Sequence, residues 1–138
     1  MVEIVVPGQP VPQPRPRVST RGGFGRAYTP SAHPIHAYRQ AITLMARTAK
    51  RITGAAVLEV EAIFARPASH WRKHDLKPSA PQWVKGIDGD NVLKGVQDAL
   101  TDAGLWDDDD QVIDSRIRKR YASRNEQART IIRVGPAP

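Results

Sequence analysis

Cysteine, long apolar runs and aromatic side chains are scarce or missing in this 138-residue chain. The absence of cysteine excludes a disulfide framework and a thiolate metal site. No apolar run approaches the roughly 20 residues that a membrane-spanning helix needs. A short strand-like stretch follows Met1 in place of a basic and then apolar leader, so we expect no signal peptide and a cytoplasmic protein. The length favours a single domain over residues 1–138.

Charge is unevenly distributed along the chain. The whole chain carries a formal charge of +7 and has a pI near 10.2. Residues 88–114 contain nine acids and one base, a net −8, so the remainder carries +15. Net charge alone does not distinguish a nucleic-acid partner from ordinary solubilising charge. The contrast between the two segments favours a polyanionic partner, most simply nucleic acid.

Two proline-rich stretches, residues 9–30 and 66–87, are predicted to be basic loops because proline prevents a regular helix. Ordered loops of this length are usually functional. The second loop contains Trp71 and Trp83, which can stack on nucleobases or can cover the core. The basic residues singled out in the two loops are Arg15, Arg17, Arg21, Arg26, Lys73, Lys77 and Lys85.

The remaining pattern predicts an α+β fold. Apolar residues at helical spacing predict one helix after Ser31, the expected N-cap, ending by Gly54, and a second helix over residues 91–103 with Asp90 as N-cap. Alternation and short apolar runs predict strands over residues 2–8, 55–67, 111–122 and 128–134. This order predicts a small mixed or antiparallel four-stranded sheet with two helices packed on one face.

The clustered aspartates indicate a cation site. Bunched carboxylates repel one another unless a cation neutralises them, and Mg²⁺ or Mn²⁺ prefers oxygen ligands. Asp88 and Asp90 place two carboxylates within reach of one ion, and residues 107–110 can supply a third. Lys94, four residues after Asp90, can orient that aspartate or stabilise charge on a phosphate. The alternative is structural, with Asp90 capping the helix and residues 107–110 forming a solvated turn.

The predicted second helix separates these acids. Thirteen helical residues span about 20 Å, and residues 104–110 can double back about 23 Å at most. We therefore expect a site built within one chain to be strained. A two-fold dimer in which Asp109 of one subunit meets Asp88 and Asp90 of the other removes the strain, and this is a hypothesis.

Two histidines, His33 and His36, stand three residues apart near the start of the first predicted helix. They can ligate a metal or contact phosphate, or they can be solvated residues of a helix end.

The segments DGDNVLKGVQDAL and AGLWDDDDQV resemble the RusA family of crossover-junction (Holliday-junction) endodeoxyribonucleases. The family pattern is Asp-x-Asp-Asn-x-x-Lys, then Asp-Ala-Leu, then Gly and Asp-Asp-x-Gln-Val. The matching residues are Asp88, Asp90, Asn91 and Lys94, then Asp98, Ala99 and Leu100, then Gly104, and Asp108 to Val112. The opening strand, AYTP at residues 27–30 and the following helix are also similar, so the resemblance spans nearly the whole chain.

The resemblance implies a homodimeric, Mg²⁺-dependent enzyme, bacterial or phage-encoded, that nicks four-way DNA junctions symmetrically in recombination and repair. By matched position it implies an essential Lys94 and the metal carboxylates Asp88, Asp90 and Asp109, with Asp108 as the neighbouring acid. Two departures from the family pattern stand out: Gly89 replaces an apolar residue, which is expected to loosen the site, and Asp107 and Asp110 add acid.

A junction nuclease must also hold phosphates. The expected contacts are the basic residues of the two loops together with three on the predicted strand 111–122: Arg116, Arg118 and, on the opposite face, Lys119. On that strand Ile113, Ile117 and Tyr121 are expected on one face, and Arg116, Arg118 and Arg120 on the other. Two other functions fit the same residues: a non-catalytic basic nucleic-acid-binding protein, and a metal-dependent nuclease acting on other branched DNA or on RNA. A regulatory protein that has lost activity is a further alternative, against which the intact set of aspartates and lysine argues.

Overall fold

A four-stranded mixed sheet carries two helices on one face. The computed structural model describes residues 1–15, 17–19, 23 and 25–138, with the backbone alone for residues 17–19, 26 and 27. The elements are β1 (Val2–Pro7), β2 (Arg17–Ser19), β3 (Arg26–Tyr28), α1 (Ile35–Ala46), β4 (Ala56–Phe64), α2 (Gly89–Asp102), β5 (Val112–Tyr121) and β6 (Arg129–Pro136). The sheet order is β1-β6-β4-β5, in which β4 and β5 are parallel and the other pairs antiparallel. The predicted α+β class is confirmed.

The core lies between the sheet and both helices. Along β4, Leu58 and Val60 are buried against residues of α1 and α2, because successive side chains of a strand point to opposite faces. Glu59 and Glu61 therefore lie on the open face of the sheet. Since α2 connects the parallel strands β4 and β5, it must cross back over the sheet, and this crossover places its first turn against β5.

Helix α1 is shorter than its apolar pattern predicts. It begins at Ile35 with Pro34, and not Ser31, as N-cap, and the ring Nδ1 of His33 accepts the Ile35 backbone N–H at 3.0 Å. It ends at Ala46, eight residues before Gly54. Ile52, expected on the helical stripe, is buried after the helix end, where its backbone N–H donates to the Leu105 carbonyl at 2.8 Å.

A bulge in β5 overturns one expected face assignment. Val112 pairs with Ala56 but Asp114 pairs with Val57, so Ile113 has no partner on β4. The extra residue reverses the alternation: Val112 packs on the core and Ile113 is 67% exposed. Ile117 packs on the core, so Ile113 and Ile117 do not share a face as predicted.

The first basic loop contains structure that its proline content did not predict. β2 and β3 pair antiparallel, with Val18 opposite Ala27, and form a small separate sheet. Arg21 lies outside the described residues, as do the side chains of Arg17 and Arg26. Neither described helix has the length and apolar composition that crossing a bilayer requires.

Candidate active site

The first turn of α2 presents the Asp-x-Asp pair. Asp88, and not Asp90, is the N-cap: its backbone is extended, with φ −82° and ψ 121°, and its Oδ1 accepts the Asp90 backbone N–H at 3.0 Å. Asp90 therefore lies in the first helical turn, where a carboxylate interacts favourably with the helix dipole. Both carboxylates are exposed, so both remain accessible to an ion.

Gly89 lies between these aspartates at a close contact of α2 with β5. A Cβ at this position would lie 3.3 and 3.4 Å from the two γ-carbons of Ile117. The missing side chain of Gly89 therefore lets the helix approach the strand, and the loosening of the site by Gly89 stays a prediction.

The ammonium of Lys94 lies between two acids farther along α2. Its Nζ is 3.3 Å from Asp98 Oδ1 and 3.9 Å from Asp109 Oδ2. Asp109 thus returns to the second and third turns of the helix, about 6–12 Å along the axis from Asp90. Within one chain Asp109 therefore reaches Lys94, but among the described residues it is not gathered with Asp88 and Asp90 into one group of ligands.

A tight reversal after α2 explains how Asp109 returns. Gly104 has φ +77°, the left-handed conformation that commonly ends a helix, as predicted for this position. The Leu105 N–H then donates to the Leu100 carbonyl at 3.2 Å, and the indole N–H of the buried Trp106 donates to Thr101 Oγ1 at 2.8 Å.

Gln111 holds the run of four aspartates in place. Its Oε1 accepts the backbone N–H of Asp107 at 2.8 Å, and its amide donates to the carbonyls of Ile52 and Gly54 at 3.1 and 2.9 Å. Asp108 caps a short 3₁₀ turn, Asp109–Gln111, by accepting the Asp110 N–H at 3.0 Å. The spacing of Asp108 and Gln111 is that of a capping box, a pattern that is already visible in the sequence.

Asp108 and Asp109 have unequal proton affinities. The pKa of Asp108 is lowered, chiefly because the Asp110 backbone N–H donates to its carboxylate. The pKa of Asp109 is raised, chiefly by its hydrogen bond with Asp108 and then by partial desolvation, while Lys94 acts in the opposite direction.

The donor set suits a hard divalent cation. Mg²⁺ is commonly bound through one or two carboxylates together with water and substrate phosphate, and Asp88 and Asp90 supply such a pair on one turn. In the part of the chain that the structure describes, no three acidic or histidine side chains are gathered closely enough to hold an ion. The residues therefore fit a site of two carboxylates, with Asp109 one or two helical turns away.

Comparison with known proteins identifies the family. A protein-family model described as "Endodeoxyribonuclease RusA" matches residues 7–135. The chain belongs to the RusA family. It is also 32% identical over 131 residues to YqaN of Bacillus subtilis (strain 168), described as an uncharacterized protein, with 88% of each chain covered. The Asp-x-Asp turn, Lys94 and Asp109 of this RusA-family chain thus lie on one helix and the reversal that follows it.

The basic residues of β5 do not all lie beside these carboxylates. Arg116 and Arg118 are exposed on the open face of the sheet, in register with Glu59 and Glu61 of β4. Lys119 points to the helix-bearing face, where its Nζ donates to the Val84 carbonyl at 2.9 Å and to the Ile87 carbonyl.

The second basic loop presents an aromatic side chain close to α2. Trp83 is 62% exposed, and the ammonium of Lys85 lies 5.4 Å from its ring centroid. Lys73 and Lys77 are exposed farther back in the loop, and Trp71 is half-buried with the Arg124 guanidinium 5.6 Å from its ring centroid. Of the two tryptophans in this loop, Trp83 is the more exposed.

The first basic loop is attached to α2 beside the Asp-x-Asp turn. The Gln13 N–H donates to the Asn91 carbonyl at 2.9 Å, so the exposed Arg15 emerges two residues from this anchor. The contacts of His33 and His36 are with backbone, since His36 Nε2 lies 3.0 Å from the Pro30 carbonyl. These contacts support the structural alternative for the two histidines.

Proposed function

We propose that this RusA-family protein is an endodeoxyribonuclease that resolves four-way DNA junctions by paired nicks. It acts as a homodimer and depends on a divalent metal, Mg²⁺ or Mn²⁺. The observation that carries the proposal is the position of Lys94, one turn after Asp90 and 3.9 Å from Asp109. A lysine that joins the two halves of the family motif in space supports one functional site made from both.

The carboxylates of Asp88 and Asp90 bind the metal, and Asp109 with its neighbour Asp108 completes the acidic side of the site. Magnesium supplies Lewis acidity at the phosphate and lowers the pKa of a water. Lys94 offsets charge that develops on the phosphate in the transition state, a role in which a placed cation is effective because the site is already organised.

Basic residues around the site hold the DNA backbone. Arg15 projects from the anchored loop beside Asn91, and Lys85 lies beside Trp83 just before the Asp-x-Asp turn. Trp83 offers an exposed face on which an unpaired base of a junction can stack. The remaining phosphate contacts are supplied by the exposed Lys73, Lys77, Arg116 and Arg118 and by Arg17, Arg21 and Arg26 of the first loop.

The test is cleavage of a synthetic four-way junction, with and without Mg²⁺, by the wild type and by Asp90→Asn. We expect the variant to lose at least 100-fold in cleavage rate, because it removes a metal ligand, while it binds the junction as tightly as the wild type. Asp102→Asn is the matched control: the same charge is lost on the same helix, about 18 Å away. It should cleave at the wild-type rate.

Three outcomes would contradict the proposal. Junction binding without cleavage in any divalent metal indicates a non-catalytic binding protein. Preferential cleavage of three-way, flapped or linear DNA, or of RNA, indicates a nuclease with another substrate. Equal cleavage rates for Asp90→Asn and the wild type would show that this carboxylate is not needed for catalysis.

A further inference from the structure

Lys119 makes a contact that its sequence pattern did not predict. It lies on β5 opposite Ala62, is half-buried, and extends toward the loop that precedes α2. Its ammonium binds the carbonyls of Val84 and Ile87, which lie on either side of a turn in which Gly86 has φ +77°. One cation therefore closes the turn from inside, through two charge-assisted hydrogen bonds.

The second of these carbonyls controls the start of α2. The Ile87 carbonyl belongs to the peptide group that leads into Asp88, so a hydrogen bond to it fixes the plane of that peptide. The direction of the Asp88 side chain depends on this plane, and Asp88 in turn accepts the N–H of Asp90. Lys119 is thus one peptide group away from the Asp-x-Asp turn.

Side chains and carbonyls of the turn make contacts on different sides. Val84 is buried with Phe64 and Val92, and Ile87 packs beside them, so the side chains hold the ends of the turn. The carbonyls point the other way, toward β5, where the ammonium receives them. Without this donor, two inward-facing carbonyls lose their partner, and burying unsatisfied carbonyls is costly.

We propose that Lys119 is a positioning residue that orients the metal-binding turn at Asp88 and Asp90, and not a DNA contact. This inference rests on the proposed nuclease function. Outer residues that orient metal ligands typically affect metal affinity by 10- to 100-fold. Arg118, the preceding residue on the strand, lies exposed on the opposite face and can contact DNA.

The test compares Lys119→Met with Arg118→Met. Each variant loses one positive charge from β5, and methionine keeps most of the apolar stem of the side chain. Mn²⁺ binding to the free protein is measured by electron paramagnetic resonance, junction binding by titration in metal-free buffer, and folding by circular dichroism and thermal melting. For Lys119→Met we expect Mn²⁺ affinity to fall about 10- to 100-fold, with junction affinity within twofold of the wild type. For Arg118→Met we expect weaker junction binding and unchanged Mn²⁺ affinity.

The variants separate positioning from a merely structural role. Lys119→Arg keeps a cationic donor and should restore part of the Mn²⁺ affinity, and Lys119→Gln, too short to reach both carbonyls, should not. Lys119→Gln also replaces Lys119→Met if the latter does not fold. Wild-type Mn²⁺ affinity in a folded Lys119→Met or Lys119→Gln, or a loss of junction affinity equal to that of Arg118→Met, overturns the inference. If the wild type itself binds no Mn²⁺ and cuts no junction, the proposed function fails first and this inference fails with it.

Discussion

At the scale of single residues, the aspartates divide by the backbone groups that they bind. Asp88 and Asp108 each accept the N–H of the residue two positions later, at 3.0 Å in both cases. The two acidic segments therefore form the same kind of turn, one at the start of α2 and one before β5. Asp90 and Asp109 follow these caps. Asp90 and the second carboxylate oxygen of Asp88 are left for a cation, and Asp109 lies beside Lys94.

Acid sensitivity should depend on Glu126 more than on the acidic cluster. Its carboxylate accepts hydrogen bonds from Arg120 at 2.6 and 2.7 Å and from Arg129 at 3.0 Å, and these contacts hold the pKa of Glu126 well below its usual range. A depressed pKa in the folded state contributes stability above the unfolded value, about 4.3, and that stability is lost as pH falls through the folded pKa.

We therefore expect Glu126→Gln to lower the free energy of unfolding at pH 7 and to flatten its decline below pH ~4. Urea unfolding at a series of pH values measures this. The matched control is Glu3→Gln, whose single pair with Arg133 is more exposed and contributes at most about 1 kcal/mol. Parallel pH profiles for the wild type and Glu126→Gln would contradict the prediction.

At the scale of elements, contact between α2 and β5 determines where the site forms. The first turn of α2 approaches the strand at Gly89 and Ile117, and Lys119, two residues farther on, holds the preceding loop. The bulge at Ile113 sets the alternation that brings Ile117 and Lys119 to the helix-bearing face. The edge strand β5 thus contacts both the first turn of α2 and the loop before it, which together position Asp88 and Asp90.

A side chain at Gly89 should separate this helix from this strand. We expect Gly89→Leu to destabilise the protein by about 1–3 kcal/mol, because the added atoms overlap with Ile117 in a packed contact. The double variant with Ile117→Ala should recover part of the loss, giving a coupling energy of about 0.5–3 kcal/mol in a denaturation cycle.

Gly54→Leu provides the control for this prediction, because a Cβ at Gly54 meets no atom within 4 Å. It should change the free energy of unfolding by less than about 0.5 kcal/mol. Additive effects of Gly89→Leu and Ile117→Ala would show that the two residues are not coupled across the interface.

At the scale of the whole molecule, acidic and basic regions are separated along the chain and come together in space. The segment of net charge −8 forms α2, the reversal and the start of β5, and the basic loops are attached to the same region through Gln13 and Lys119. A polyanion that approaches the basic surface is thereby brought to the acidic turn, and its affinity should fall steeply with salt.

The return of Asp109 changes the expectation for a dimer. Because one chain already brings Asp109 beside Lys94, we favour a site made within one subunit over a site shared between subunits. We expect mixtures of Asp88→Asn and Asp109→Asn chains, unfolded and refolded together, to show no more junction cleavage than either variant alone. As a control, wild-type chains are refolded together with chains that carry both Asp88→Asn and Asp109→Asn. This mixture shows whether heterodimers form. If the mixture of single variants recovers the activity expected of a dimer with one intact site, the site is built from both subunits.

Local patterns in the sequence determined much of this protein. Alternation along residues 55–67, the apolar stripe of residues 91–103 and the glycine at 104 predicted β4, α2 and its end, because each depends on neighbours a few residues away. The motif residues were found in the same way. The sequence also carried the cue for Gln111, through the capping-box spacing with Asp108.

Tertiary structure decided the rest, because those features depend on contacts between residues far apart in the chain. The carbonyls of Ile87 and Val84, to which Lys119 donates, lie 32 and 35 residues away in the chain. Ile117 lies beside Gly89 only because α2 crosses to a parallel strand. The bulge at Ile113 depends on how β5 pairs with β4, and the residue pattern within β5 does not predict this pairing. The place of Asp109 beside Lys94 likewise follows from the reversal as a whole, since its direction is set by the packing of Trp106 and the contacts of Gln111.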